Sequence, residues 1–165
     1  RARRPSGYSH DQRPMTMLQG SSSADIDAPI DRCWTLVEDI AGAPRWQRGL
    51  ERVDVRERDA RGRALICDTV TDAKFTKVRC RIRVTYEPNR RMSFARDASD
   101  TGDVDAMEGS WELEELAPGR TRATYRLAVD PGPVGLMARP LERALRPLVV
   151  GGRADELARA VAERG

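Results

Sequence analysis

The chain has 165 residues, a third of them charged, yet its net charge at neutral pH is only +3. That balance offers no net-charge basis for a nucleic-acid partner, and a chain of this length suits one domain with a single core. It contains no run of about 18 apolar residues and no apolar segment after its basic start, so neither a spanning helix nor a secretion signal is expected. Three cysteines, Cys33, Cys67 and Cys80, are odd in number and form no C-x-x-C pair, so buried reduced thiols and a cytoplasmic location are expected.

Residues 1–21 are polar, basic and without period, which reads as a disordered extension ahead of a domain spanning 22–165; Met15 and Met17 stand there as candidate starts. Residues 23–28 alternate Ala24, Ile26 and Ala28 with Ser23, Asp25 and Asp27, the pattern of a half-buried strand. Pro29 suits a first helical position, Asp31 complements the helix dipole, and Ile30, Cys33, Trp34 and Val37 make one apolar helix face. Gly42 and Pro44 break that pattern, and Trp46 with Leu50 marks a second short helix or turn.

Strands follow at 51–58, 63–71, 75–87, 91–97, 106–116 and 120–130, with turns at 59–62, 88–90 and Pro118-Gly119. In the third of these, Lys77, Arg79, Arg81 and Arg83 alternate with Val78, Cys80, Ile82, Val84 and Tyr86. The basic set is therefore expected on a solvated outer face. Met107, Gly109, Trp111 and Leu113 share one strand face, and Thr121, Ala123, Tyr125, Leu127 and Val129 share another. Asp97, Asp100, Asp103 and Asp105 crowd a loop that lacks calcium-loop spacing, and solvation is expected for them. From 134 to 164, Leu141, Leu145, Leu148 and Gly152 form a helical stripe that Pro140, Pro147 and the Gly151-Gly152 pair should bend or split.

The order of a strand, A-P-x-x-x-x-W (Ala28, Pro29, Trp34), Asp39-Ile40 and a tryptophan-bearing turn resembles the opening of the START-like, birch-pollen-allergen-like superfamily, in its polyketide cyclase/dehydrase and lipid-transport branch. Gly109-Ser110-Trp111, Gly119-Arg120-Thr121 and Asp130-Pro131-Gly132 extend the resemblance from Ser22 to Glu163. It implies an α+β helix-grip fold: a curved antiparallel sheet of about six or seven strands wrapped around a long, kinked C-terminal helix. Two short helices follow the first strand, and a ligand cavity separates sheet from helix.

Absences shape the chemistry. The one histidine, His10, lies in the N-terminal extension, and no H-E-x-x-H, G-x-S-x-G, G-x-x-x-x-G-K-[ST] or G-x-G-x-x-G occurs, so no metal and no cofactor is expected. The inward positions of such a fold nominate Trp46, Leu50, Ile82, Val84, Tyr86, Met92, Phe94, Trp111, Leu113, Tyr125, Leu141 and Leu145 as ligand-binding residues. The similarity to aromatase/cyclases implies an arginine, a tyrosine and small hydroxyls inside the pocket. Here Leu50 stands near the implied tyrosine, while Arg126 and the arginines of 75–87 are expected to face away, so no catalytic residue is assigned. The first expectation is a module that binds a small hydrophobic molecule of polyketide, lipid or quinone type, with no nucleic-acid partner and no stable membrane insertion. The alternatives are a polyketide aromatase/cyclase-dehydrase using Tyr86, Tyr125 or an inward arginine, and an interaction protein like the coenzyme-Q-binding or ribosome-associated toxin-like members. The last would use the basic strand face or the C-terminal helix.

Overall fold

The structure, a computed structural model, describes residues 18–73, 76–130, 132 and 152–165. Seven strands form one antiparallel sheet: β1 (Leu18–Ile26), β2 (Leu50–Arg58), β3 (Ala64–Asp72), β4 (Lys77–Glu87), β5 (Arg91–Arg96), β6 (Ala106–Ala117) and β7 (Arg120–Asp130). Their order across the sheet is β1-β7-β6-β5-β4-β3-β2, so six strands run as a meander and β1 returns to pair with the last. Helix α1 (Ile30–Glu38) and a 3-10 turn (Ile40–Arg45) follow β1, and α2 (Arg153–Glu163) closes the described chain.

The alternation along β4 decides which face is which. Val78, Cys80, Ile82 and Val84 are buried while Lys77, Arg79 and Arg83 are exposed, which puts the basic side chains outside. The register fixes this, since Arg81 stands opposite Asp68 and Ile82 opposite Cys67. Asp68 accepts from Arg81 at 2.6 and 3.1 Å and from Arg56 at 2.7 Å. These guanidiniums, Arg81 foremost, hold its carboxyl down at about 2.

Two expectations are corrected. Strand β1 begins at Leu18, inside the segment expected to be disordered, because β7 supplies a full ladder: Leu18 pairs with Val129, Gly20 with Leu127 and Ser22 with Tyr125. The aspartates after β5 are solvated only in part: Asp103 and Asp105 are exposed, but Asp97 is buried and Asp100 half-buried. Strand β5 ends opposite Ile82, and Asp100 and Asp103 accept from the backbone N–H groups of Arg81 and Arg79 further along β4. Side chains there replace a missing strand.

Helix α1 buries Cys33, Trp34, Leu36 and Val37 against the sheet. The Asp39 carboxylate caps the 3-10 turn by accepting from Gly42 N–H at 3.1 Å. Helix α2 packs on β1, β7 and α1. It starts directly after Gly152, whose φ of 53° suits glycine, and Ser22 Oγ on β1 accepts from its Ala154 N–H at 3.0 Å. Residues 133–151, with Pro140, Pro147, Leu141, Leu145 and Leu148, lie outside the described residues, as does the long kinked helix expected there.

Candidate ligand cavity

The inner face of the sheet divides into a filled part and a hollow part. Around α1, Trp34 meets Tyr86 edge-on at 6.5 Å, and Val84, Leu113 and Ala123 are buried in the same core. Farther along, the inner faces of β2 to β7 enclose a cavity of about 100 Å³. The 3-10 turn contributes Ile40, the following loop Gln47, and α2 Arg153.

Of the residues nominated from sequence, Leu50, Ile82, Met92, Phe94, Trp111 and Tyr125 line this cavity. Trp111 touches both Tyr125, at 4.9 Å between ring centroids, and Trp46, at 5.8 Å. Trp46 itself backs that wall from a surface groove between the 3-10 turn and α2 rather than lining the cavity. Val84, Tyr86 and Leu113 are also absent from the lining, because the part of the inner face they occupy is filled by α1. The Tyr86 hydroxyl donates to Ala64 O at 2.6 Å and the Arg63 guanidinium covers its ring at 4.5 Å, so this tyrosine is spoken for structurally. Leu141 and Leu145 lie outside the described residues.

One glycine shapes the hollow. A Cβ on Gly109 would collide with Phe94 Cζ and stand 2.7 Å from Arg126 O. Its bare backbone lets the Phe94 ring lie across β6 and stack on Tyr125, with centroids 6.4 Å apart.

The lining is mostly apolar, with Val53, Val78, Met107, Leu127 and Val129 beside the residues already named. The polar exceptions are few. Thr69 Oγ1 is satisfied by Cys80 O at 2.9 Å. Tyr125 is buried, and that burial pushes its phenol above the ordinary range against the opposing pull of Arg153, so it stays protonated at neutral pH.

Arg153 is the residue that sequence reasoning missed. Its side chain is 7% exposed, its Cζ lies 5.8 Å from the Tyr125 ring centroid, and its Nη1 donates at 2.8 Å to both Arg48 O and Glu156 Oε2. Its Nε is buried with no acceptor, and it is the one such side-chain atom among the described residues. An unmet buried donor costs on the order of 1–3 kcal/mol. A signal was present: a cation in the first turn of a helix opposes the dipole, so an arginine just after a glycine break needs a reason to be there.

A larger hollow of about 970 Å³ lies on the outer face, floored by small residues such as Ser21, Ser93, Ser110 and Ala128. Its arginines are matched by carboxylates: Arg83 with Asp97 at 3.1 Å, Arg96 with Asp100 at 2.8 Å, and Arg91 and Arg126 with Glu112 at 3.7 and 3.9 Å. It is an open, charge-balanced trough. Among the described residues no cluster of three potential ligands stands ready for a metal, and no helix is long and apolar enough to cross a membrane. The three cysteines are free and buried. Burial raises Cys67 to about 11 and Cys80 to about 12, and it raises Cys33 as well, which keeps these thiols protonated.

Three solved structures share this architecture. A START superfamily protein from Mycobacterium smegmatis is 20% identical with a TM-score of 0.60, covering 79% of this chain and 96% of its own. A protein from Thermus thermophilus is 21% identical with a TM-score of 0.73, covering 90% and 99%. An aromatase/cyclase, Zhui, from a Streptomyces species is 19% identical with a TM-score of 0.63, covering 90% and 86%. At these identities the likeness speaks for the START-like fold alone. No curated protein sequence matches the chain significantly. Residues 26–151 match the family described as polyketide cyclase/dehydrase and lipid transport, and the chain belongs to that family.

Proposed function

We propose that the protein holds a small hydrophobic molecule, of polyketide, lipid or quinone type, in the cavity between its sheet and α2. The observation that carries this reading is the lining itself: apolar side chains from six strands face a common hollow in a family whose description includes lipid transport. At about 100 Å³ the hollow accepts a group of ring size without rearrangement, whereas ligand pockets usually run to about 300 Å³ or more. Rotation of Phe94 and Met107, which are only partly buried, is the means of enlarging it. The buried thiols suit a reducing compartment, which favours the cytoplasm. The paired charges of the outer face argue against a nucleic-acid or headgroup surface there.

Native mass spectrometry of protein purified from its own host tests this, together with thermal melts against a panel of hydrophobic compounds. A co-purified small molecule and a melting temperature that climbs with ligand concentration are expected. Repeatedly empty protein and unmoved melts would end the reading.

The juxtaposition of Arg153 and Tyr125 favours a second reading, an aromatase/cyclase-dehydrase in which the protonated Tyr125 hydroxyl is the proton donor. No carboxylate and no histidine stands among the described lining residues to accept a proton, which ranks this reading below binding. Turnover of a linear polyketide substrate that Tyr125→Phe abolishes would reverse the ranking.

A further inference from the structure

The groove outside Trp46 gathers charge that the fold does not answer. It holds about 380 Å³ between the 3-10 turn and α2, and its lining includes Arg45 and Arg48 from the turn and its loop and Arg159 from the helix. All three arginines are exposed, and among the described residues no carboxylate stands within ion-pair distance of any of them. Arg159 only reaches back along its own helix, to Asp155 O at 3.5 Å. The sheet treats its arginines differently, matching Arg81 with Asp68, Arg83 with Asp97, Arg96 with Asp100 and Arg122 with Asp25. Two carboxylates do line the groove. Glu156 is held by Arg153 Nη1 at 2.8 Å and by Arg48 N–H at 3.3 Å, so its charge is already answered, whereas Glu163 pairs with no arginine. Three cations against one unanswered carboxylate leave this concave surface positive. Pro44, Trp46 and Ala160 make the apolar part of the lining, and Trp46 rests on Trp111 with ring centroids 5.8 Å apart.

We propose that this groove docks an acidic segment of a partner protein, which presents carboxylates to Arg45, Arg48 and Arg159 around one apolar side chain set against Trp46. Arginine and tryptophan side by side form the usual energetic centre of a protein interface, and a guanidinium pairs with a carboxylate through two parallel hydrogen bonds. A bilayer fits less well. Leu116, at the end of β6, is the one exposed large apolar side chain among the described residues, so the groove offers nothing to insert among lipids. A nucleic acid would look for exposed rings on which bases stack, and Trp46 is half-buried against its neighbour. The docking does not depend on the cavity holding a ligand.

Nuclear magnetic resonance of the full chain tests this with a short peptide of glutamates around one central leucine and with its glutamine counterpart. The Trp46 indole N–H is identified by its loss in Trp46→Phe. The glutamate peptide should move that signal, with an affinity that falls as salt is added, and the glutamine peptide should leave it in place. Reversing the groove by Arg45→Glu, Arg48→Glu and Arg159→Glu together should weaken binding about tenfold. Arg58→Glu, Arg61→Glu and Arg79→Glu, at exposed arginines that also lack a carboxylate and do not line the groove, change the net charge equally and should cost less than about twofold. Equal losses in the two triple variants would reduce the effect to bulk attraction and overturn the proposal. So would a glutamine peptide that binds as well, or a Trp46 signal that no peptide moves. Phosphatidylglycerol vesicles or oligothymidylate that move the signal at lower concentration than the glutamate peptide would assign the groove to a membrane or a nucleic acid and overturn it too. The peptide pair and the salt dependence on the unmodified protein decide the matter even where a variant is unstable.

Discussion

The inner face of one sheet is built in two ways. Where α1 lies, Trp34, Tyr86, Val84 and Leu113 interlock, and even the one phenol hydroxyl is consumed by Ala64 O. Where β2 to β7 run on beyond α1, the same alternation of apolar residues leaves a hollow edged by an arginine whose Nε is buried without an acceptor. The difference is not in hydrophobicity. It lies in what is laid over the sheet, so that a run of inward residues reads as core or as lining only once its cover is known.

Trp34→Ala puts the largest strain on that comparison. On the packed side it should cost about 3–5 kcal/mol by chemical denaturation, with affinity for the hydrophobic panel unchanged in the folded protein. Phe94→Ala beside the hollow should cost clearly less and admit larger ligands. Equal losses for the two, with the same ligand size limit, would erase the distinction. Gly109→Ala comes next. The added methyl must displace both the Phe94 ring and the Arg126 carbonyl, an overpacking cost of about 1–3 kcal/mol, and should alter the response of the melting temperature to the hydrophobic panel. A neutral result in both would mean that the glycine does not shape the cavity.

The smallest effect belongs to the outer face. Asp68 drops from its ordinary 3.8 to about 2 in the folded protein, so its stabilisation is complete above the unfolded value and disappears as the pH falls from about 4 to about 2. The carboxylate is 27% exposed, so the effect is about 1 kcal/mol after solvent screening rather than the full linkage value. Asp68→Asn should remove that acid-dependent component from urea midpoints measured between pH 2 and 5, with no change in binding of the hydrophobic panel. Parallel pH profiles for the two proteins would contradict the assignment.

Most of the sheet was readable because alternation is a local signal. The expected bounds of β4 and β7 differ from the observed ones by a residue or two where they differ at all, and the outward arginines of β4 follow from period two alone. The start of β1 was not readable, since Leu18 to Ser22 contains little apolar alternation and owes its structure to β7, about a hundred residues later. The roles of Asp100 and Asp103 were hidden for a related reason: their partners are backbone groups on another strand, which leave no mark in composition. Within the site, sequence assembled six of the lining residues but could not see where α1 stops covering the sheet. Arg153 was marked only by its place in the first turn of a helix just after a glycine break.

The pairing of β1 with β7 also bears on how the chain is made. Ser23 Oγ meets Thr124 Oγ1 at 2.6 Å across a separation of 101 residues. During synthesis β1 leaves the ribosome first, yet its hydrogen-bonding edge stays unmatched until β7 has emerged, at about 5–20 residues per second several seconds later. The strand drawn at one border of the sheet is thus the earliest of the seven to exist and among the last to be secured, and nascent-chain folding should complete only once the final hairpin and α2 have emerged.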